Sequence, residues 1–227
     1  VQITKDPAHD WQADWSPKGD LIAFRSERRG GGLFVTPALG GQARQISSFG
    51  YRPRWSPDGS HILFSSAFLQ GVTQAPRLHV VGLDGNPPRS VLAERLKEFG
   101  WVGSLAWYPD GQRVSFVGWH YGAGPGFWTV PLGEGRPVKL RFTPELEKLF
   151  DPTRFMINAY VWAPSRRTLY LEGVVRGVRN VWKLTVDPET FHVLGQAERL
   201  TTGPGPDTDI ALSADGTKLA FATRSAS

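Results

Sequence analysis

The chain has 227 residues, of which 40% are hydrophobic and nine are tryptophan, so it can bury the core of a single large domain. Cysteine is absent, which excludes disulfides and zinc sites built on cysteine. The formal charge is +5, but lysine and arginine are scattered and form no stripe of the kind that a nucleic-acid surface needs, so nucleic acid is not an expected partner of this segment. No run of about 18 apolar residues occurs, and the sequence predicts no membrane span.

In chain order, the sequence predicts many short strands separated by turns. Residues 1–4 resemble the last strand of a repeat, and we expect them to pair with the final blade and close the ring, because an open ring leaves strand edges and apolar faces uncovered. Two insertions, at 93–99 and 143–150, are predicted to be helical, the second with Thr143 as N-cap and Pro144 in the first turn. The other strands are predicted at residues 21–24, 33–36 and 43–47; 52–55, 62–64, 78–81 and 89–92; 114–116, 127–130 and 138–141; 169–171, 181–184 and 198–201; and 209–213 and 219–221.

A recurring five-residue phrase lies in the turn between the first two strands of each repeat. It is clearest as Trp-Ser-Pro-Asp-Gly at 55–59, where proline presets φ, aspartate accepts a hydrogen bond from the backbone downstream and glycine takes the left-handed conformation. Its copies are spaced roughly 40 to 55 residues apart, the period of β-propeller blades. The fourth copy has Ser165 and Arg166 in place of Asp-Gly, which predicts an altered turn. The five copies are anchored at Trp15, Trp55, Trp107, Trp162 and Leu212.

The repeats predict an all-β fold, namely a β-propeller of four-stranded antiparallel blades with about five blades represented. Residues 1–227 are expected to form a single propeller domain whose first and last blades are incomplete. The last blade breaks off where its third strand should begin, so we interpret the chain as a segment of a larger propeller. The alternative is that residues 1–4 complete the last blade.

The repeat resembles that of TolB-like propellers. The resemblance rests on the Trp-Ser-Pro-Asp-Gly phrase, the Leu/Ile-Ala-Phe strand that follows it and a Leu-x-Val strand that ends in Gly-Gly, and it covers essentially the whole chain. The stretches 24–28, 35–41 and 51–55 also look like the propeller halves of bacterial signalling and transcription-regulator-type proteins. This resemblance implies a sensor or interaction module and leaves its ligand open.

No catalytic residues stand at diagnostic spacing. The repeats do not match the Asp box of sialidases, and the Gly-x-Ser-x-Gly turn of hydrolases is absent. The five histidines include no pair at metal-ligand spacing. The sequence therefore predicts a non-enzymatic propeller that binds a ligand or a protein. The alternative is the propeller domain of an enzyme, either glycan-processing or prolyl-oligopeptidase-like, with its site at the channel mouth.

The candidate binding surface is the mouth of the central channel, where the innermost strands of a propeller begin. Its mixed charge suits a protein, a peptide or a polar small molecule. No cofactor is expected; a channel-bound Ca²⁺ is the alternative, although the acidic loop pattern of calcium sites is missing. The compartment stays open between cytoplasm, for a signalling protein, and periplasm. The eight candidate residues are His9, Asp10, Arg52, Arg54, Asn158, Tyr160, Asp207 and Asp209.

One loop is unusually aromatic. Trp119, His120 and Tyr121 precede a glycine-rich stretch at 122–126. Two interpretations are open: an exposed patch for a peptide or a glycan, or a long hairpin whose aromatic side chains fold back on the blade. The second is favoured at this stage.

Overall fold

Antiparallel sheets follow one another along the chain. The protein is described by a computed structural model at residues 2–67, 77–149, 159–175, 177–203 and 206–223. Blade 1 contains β1 (Asp10–Trp15), β2 (Leu21–Ser26), β3 (Gly32–Pro37) and β4 (Arg44–Ser47); blade 2 contains β5 (Tyr51–Trp55), β6 (His61–Ser65), β7 (Leu78–Gly82) and β8 (Arg89–Val91); blade 3 contains β9 (Phe99–Trp107), β10 (Arg113–His120), β11 (Gly124–Pro131) and β12 (Val138–Lys139); blade 4 contains β13 (Tyr160–Trp162), β14 (Thr168–Val175), β15 (Val178–Val186) and β16 (Val193–Arg199); and the described part of blade 5 contains β17 (Asp207–Leu212) and β18 (Leu219–Thr223).

Within each of the four-stranded sheets, the strands pair in chain order. This meander places the first strand of each blade at the centre of the ring and the fourth strand at its rim. The prediction of an all-β propeller with four-stranded antiparallel blades is confirmed. Because every blade runs in the same sense, the first strands all begin at one end of the propeller, which we call the upper face. The turns of the repeated phrase lie at the opposite end.

The core lies between neighbouring blades and follows from the alternation of side chains along each strand. Ile62 and Phe64 of β6 pack towards blade 1, where they join Leu33. Leu63, the residue between them, packs in the opposite direction, with Phe116 of blade 3. Successive residues of a strand point to opposite faces, so one apolar strand supplies two interfaces. A further cluster joins blades 3 and 4.

The anchor tryptophans pack on the blade that precedes their own. Trp55, Trp107 and Trp162 are only 7%, 8% and 6% exposed. The indole Nε1–H of Trp162 donates a hydrogen bond to Ser115 Oγ of blade 3 at 3.1 Å. Trp15, in contrast, is 58% exposed, because no described blade precedes blade 1. The tryptophan of the phrase is therefore a packing residue wherever a preceding blade covers it.

The turn of the fourth repeat keeps the geometry of the others. Gly59 has φ +72° and donates its N–H to Ser56 O at 2.9 Å. Arg166 has φ +62° and donates its N–H to Ala163 O at 3.0 Å. The prediction of an altered turn is thus wrong: an arginine holds the left-handed conformation that glycine takes in the other copies.

Both predicted helices are confirmed: α1 spans Ala93–Leu96 and α2 spans Pro144–Leu149. Thr143 caps α2 as expected, because its Oγ1 accepts a hydrogen bond from Leu146 N at 3.3 Å. One strand was misplaced, since β16 begins at Val193 rather than at residue 198. Most of β16 is exposed at the rim, so its sequence carries little of the apolar alternation from which strands are read.

The predicted closure of the ring by residues 1–4 is wrong for the described residues 2–4. They form no strand, and the carbonyl oxygen of Ile3 lies beside the turn at Gly40, 3.7 Å from the point where a Cβ on that glycine would stand. Among described residues, β18 pairs only with β17. Phe221 of β18 is consequently exposed, as is Trp15 at the other end of the arc.

Candidate functional site

The innermost strands share a bulge three residues before the anchor. Gln12, Arg52 and Asp209 occupy this position, and their φ angles are +54°, +52° and +57°. At each of them the pairing register with the second strand shifts. Ser104 takes the equivalent place in β9, between Gly103 and Leu105, where the register also shifts. A bulge re-aims a side chain and is often found beside functional sites, so each of these blades turns one residue out of its regular pleat near the axis.

Polar side chains of blade 1 hold the bulged strand of blade 2. The Oε1 atom of Gln12 accepts a hydrogen bond from Arg52 N at 2.8 Å. One oxygen of Asp14 accepts from Trp55 N at 2.8 Å, and the other accepts from Arg54 Nη1 at 3.3 Å. Burial raises the pKa of Asp14. The charge of Arg54 and the hydrogen bond from Trp55 N both lower it, but by less. The two innermost strands are therefore joined through side-chain acceptors.

Charged residues of blades 2 and 4 act on each other. Burial is the main cause that lowers the pKa of Arg52, and the charge of Arg54 lowers it further. The charge of Glu172 in β14 raises it. Glu172 is 2% exposed; burial raises its pKa, and its Oε1 accepts a hydrogen bond from Ile210 N at 3.4 Å. Blade 3 separates these two blades along the chain, so the charges of two non-adjacent blades act on each other here.

We call this group the channel site. It combines two guanidinium groups with three carboxylates, because Asp209 also acts on Glu172 through its charge and its backbone N–H. Both signs of charge stand in one partly desolvated region, where electrostatic interactions are stronger than in water. Such a site can hold a ligand that carries both charges. Its members are Gln12, Asp14, Arg52, Arg54, Glu172 and Asp209.

Three of the eight residues predicted at the channel mouth, Arg52, Arg54 and Asp209, belong to this channel site. Asp10 and Asp207 instead bind groups of the blades themselves. Asp10 forms an ion pair with Arg28 at 2.6 Å, and Asp207 accepts a hydrogen bond from Thr223 Oγ1 at 2.7 Å.

The other three residues are placed as follows. Tyr160 is buried between blades 3 and 4, where its hydroxyl donates to Ser115 O at 2.6 Å. His9 is exposed, and its carbonyl accepts a hydrogen bond from Glu27 N at 3.2 Å. Asn158 lies outside the described residues.

Sequence reasoning missed Gln12, Asp14 and Glu172. A signal existed for Asp14, which stands directly before its anchor as Arg54 does before Trp55. Glu172 interrupts the otherwise apolar end of a second strand, Leu171-Glu172-Gly173-Val174, and a carboxylate there is costly unless it is bound. No local pattern marks Gln12.

The aromatic loop differs from the favoured interpretation. His120 does fold back, since its ring stacks on Trp128 with centroids 5.0 Å apart. The ring of Tyr121 lies over Gly100 of β9, although the side chain is 71% exposed, and Trp119 is 49% exposed. The fold-back prediction is therefore correct for His120, whereas Trp119 and Tyr121 keep much of their surface in solvent.

Within the described ranges, no group of three or more His, Asp or Glu side chains is arranged to hold a metal ion. Neither described helix has the length and apolar character needed to cross a bilayer.

No protein-family model matches this chain. Among curated sequences, it is similar to the uncharacterized peptidase YuxL of Bacillus subtilis (strain 168), with 39% identity over 62 residues. That match covers 25% of this chain and 9% of the peptidase.

The solved structures that it resembles include two TolB propellers. TolB from Acinetobacter baumannii superimposes with a TM-score of 0.66 at 18% identity, covering 98% of this chain and 51% of that one. The putative TolB from Agrobacterium tumefaciens superimposes with a TM-score of 0.67 at 19% identity, covering 98% of this chain and 72% of that one. The chain thus spans about half the length of the Acinetobacter protein. At this identity the likeness shows the fold, a TolB-like β-propeller.

Proposed function

We propose that this propeller is a binding module that takes a mixed-charge peptide, a protein segment or a polar small molecule at the channel site. In the sensing role implied by its resemblance to signalling propellers, the propeller would signal whether the channel site is occupied and would not catalyse a reaction. The observation that carries the proposal is the geometry of the innermost strands, which share a bulge at Gln12, Arg52 and Asp209 and bring Arg54 to Asp14 at 3.3 Å.

Two features support a binding role rather than a purely structural one. Left-handed residues other than glycine cost free energy, about 1 to 3 kcal/mol each, and they are concentrated at functional sites. Three of them recur here at the same position of the innermost strand. Glu172 is also only 2% exposed, and a carboxylate in such an environment is costly unless it is bound.

The test is a binding assay against an array of short peptides of acidic, basic and mixed charge. We expect mixed-charge peptides to bind, and we expect Arg52→Ala to weaken that binding at least about tenfold. Arg89→Ala, which removes an exposed arginine from the outer strand β8, is the matched control and should leave affinity unchanged. Equal affinities for the two variants would overturn the proposal.

A second candidate function follows from the likeness to the peptidase YuxL. In that case the propeller would be the companion of a hydrolase domain, and the channel site would select peptides for it. Peptide hydrolysis by the full-length protein, slowed by Arg52→Ala with the same peptides, would favour this candidate over a sensing module.

A further inference from the structure

The bulges of the innermost strands turn backbone groups out of the sheet. The register of β5 with β6 skips Arg52 and Pro53, and the register of β17 with β18 skips Asp209 and Ile210. A backbone N–H that is shielded from water needs an acceptor, and a bulge removes the acceptor that the ladder of the same blade would supply. The acceptors for these two bulges therefore come from outside their own blades.

The number of acceptors matches the number of donors at each bulge. Proline has no N–H, so the bulge of β5 presents one donor, Arg52 N, and Gln12 Oε1 accepts it at 2.8 Å. The bulge of β17 presents two donors, Asp209 N and Ile210 N. Both are bound by the carboxylate of Glu172, whose Oε1 is 3.4 Å from Ile210 N. One amide oxygen serves one donor, and a carboxylate serves two.

Both acceptors lie on the blade that precedes the bulge, and they face the backbone rather than a ligand. Glu172 is 2% exposed, and Gln12 Oε1 is occupied by its hydrogen bond. The side chains of the bulged residues are more open, since Arg52 is half-buried and Asp209 is exposed. A ligand in the channel can therefore contact the bulged side chains, while the acceptors hold the backbone behind them.

The bulged conformation depends on such support. Arg52 and Asp209 have φ angles of +52° and +57°, which are unfavourable for residues other than glycine and persist only where the surrounding structure fixes them. Without the acceptor, the backbone gains by returning to negative φ. That return redirects the side chain, because the side chains of a regular strand alternate between its two faces. The hydrogen bond from the preceding blade thus decides where the bulged side chain points.

We propose that Gln12 and Glu172 are positioning residues of the channel site. Each holds the bulge of the following blade, Gln12 directing the positive side chain of Arg52 towards the ligand and Glu172 directing the negative side chain of Asp209. The effect on ligand affinity rests on the proposed function, whereas the hold on the two bulges does not. The acidic group of a mixed-charge ligand accordingly depends on Gln12, although Gln12 does not touch it.

The test compares variants of Gln12 by two readouts. One is the affinity of the tightest mixed-charge peptide, and the other is the φ angle of Arg52 in the ligand-free protein, reported by its HN–Hα coupling constant. Gln12→Leu removes the acceptor and Gln12→Asn shortens its side chain by one methylene. Each should shift φ and weaken the peptide about three- to tenfold, the effect of one net hydrogen bond. Gln12→Glu keeps an acceptor of the same length and should keep the φ angle.

Two comparisons separate positioning from a general effect on the fold. In the Arg52→Ala protein, Gln12→Leu should cause no further loss of affinity, because Gln12 acts through Arg52. Gln45→Leu is the matched control: Gln45 Nε2 donates to Gly31 O at 3.0 Å within blade 1, away from the channel, and its loss should change neither readout. For the second bulge, Glu172→Leu should shift the φ angle of Asp209 more than Glu172→Gln, which retains one acceptor oxygen.

The proposal fails if either the φ angle of Arg52 or the peptide affinity stays at the parent value in both Gln12→Leu and Gln12→Asn. It also fails if Gln12→Leu weakens the peptide equally in the parent and the Arg52→Ala proteins. If no peptide binds the parent protein, the channel site is refuted as a binding site. The φ angles of Arg52 and Asp209 then still decide whether Gln12 and Glu172 hold the bulges.

Discussion

The indole of Trp107 donates a hydrogen bond to the backbone carbonyl of Arg54 at 3.0 Å. The guanidinium of Arg54 reaches in the other direction to Asp14 at 3.3 Å. One residue of blade 2 thus contacts both neighbouring blades, through its backbone on one side and its side chain on the other. The packing of the ring and the charge of the channel site are therefore coupled at Arg54.

Removal of an anchor tryptophan should destabilise the protein only where a preceding blade covers it. We expect Trp107→Ala to lower the free energy of unfolding by about 3 to 5 kcal/mol, because it leaves a cavity and removes the hydrogen bond to Arg54. Trp15→Ala, its counterpart in blade 1, should change it by less than about 0.5 kcal/mol. Urea unfolding of both variants measures the difference. Similar losses for the two would mean that Trp15 is covered in solution.

Replacing Arg166 with glycine should stabilise the left-handed turn at this position. Arg166→Gly removes the steric cost of φ +62°, and we expect a gain of about 0.5 to 1 kcal/mol in the free energy of unfolding. Gly111→Ala tests the same conformation in reverse, because Gly111 has φ +70° and no atom within 4 Å of an added Cβ. The free energy of unfolding of Gly111→Ala should fall by a similar amount. A destabilised Arg166→Gly would show that the arginine side chain contributes more than its backbone costs.

Glu172 should make stability depend on pH. Burial raises its folded pKa above the unfolded value of about 4.5, so its charged form opposes folding at neutral pH and protonation relieves this. Glu172→Gln is therefore expected to melt higher than the parent protein at pH 7. That advantage should shrink as the pH falls through the folded pKa towards 4.5. Glu134→Gln, at an exposed glutamate, serves as control, and its melting temperature should stay within about one degree of the parent protein. A constant offset for Glu172→Gln across this range would contradict the assignment.

The strands and turns were readable from sequence because each has a local cause. Ile62, Leu63 and Phe64 are apolar on both faces because two blades cover them, and Asp58 holds its turn through Ser60 N at 3.0 Å. These signals lie within a few residues of one another. The rim strand β16 lacks them, which is why its start was misplaced.

The channel site was only partly predictable because its geometry comes from tertiary contacts. Gln12, Arg52 and Asp209 share a conformation but no residue type, so no local pattern marks the bulge. The acceptor that holds the bulge at Arg52 comes from Gln12 in another blade. The charge of Glu172 acts on Arg52 only once blades 2 and 4 are packed in place. The charges at the mouth could be read from the sequence, but their pairing could not.

The most direct test of the central claim is to map where a ligand touches the protein. The tightest mixed-charge peptide from the array should be titrated into isotope-labelled protein, with backbone amide chemical shifts recorded by NMR. We predict that the largest changes in chemical shift fall at Arg52, Asp209 and their neighbours in the innermost strands. Changes confined to the outer strands β4, β8, β12 and β16 would contradict it.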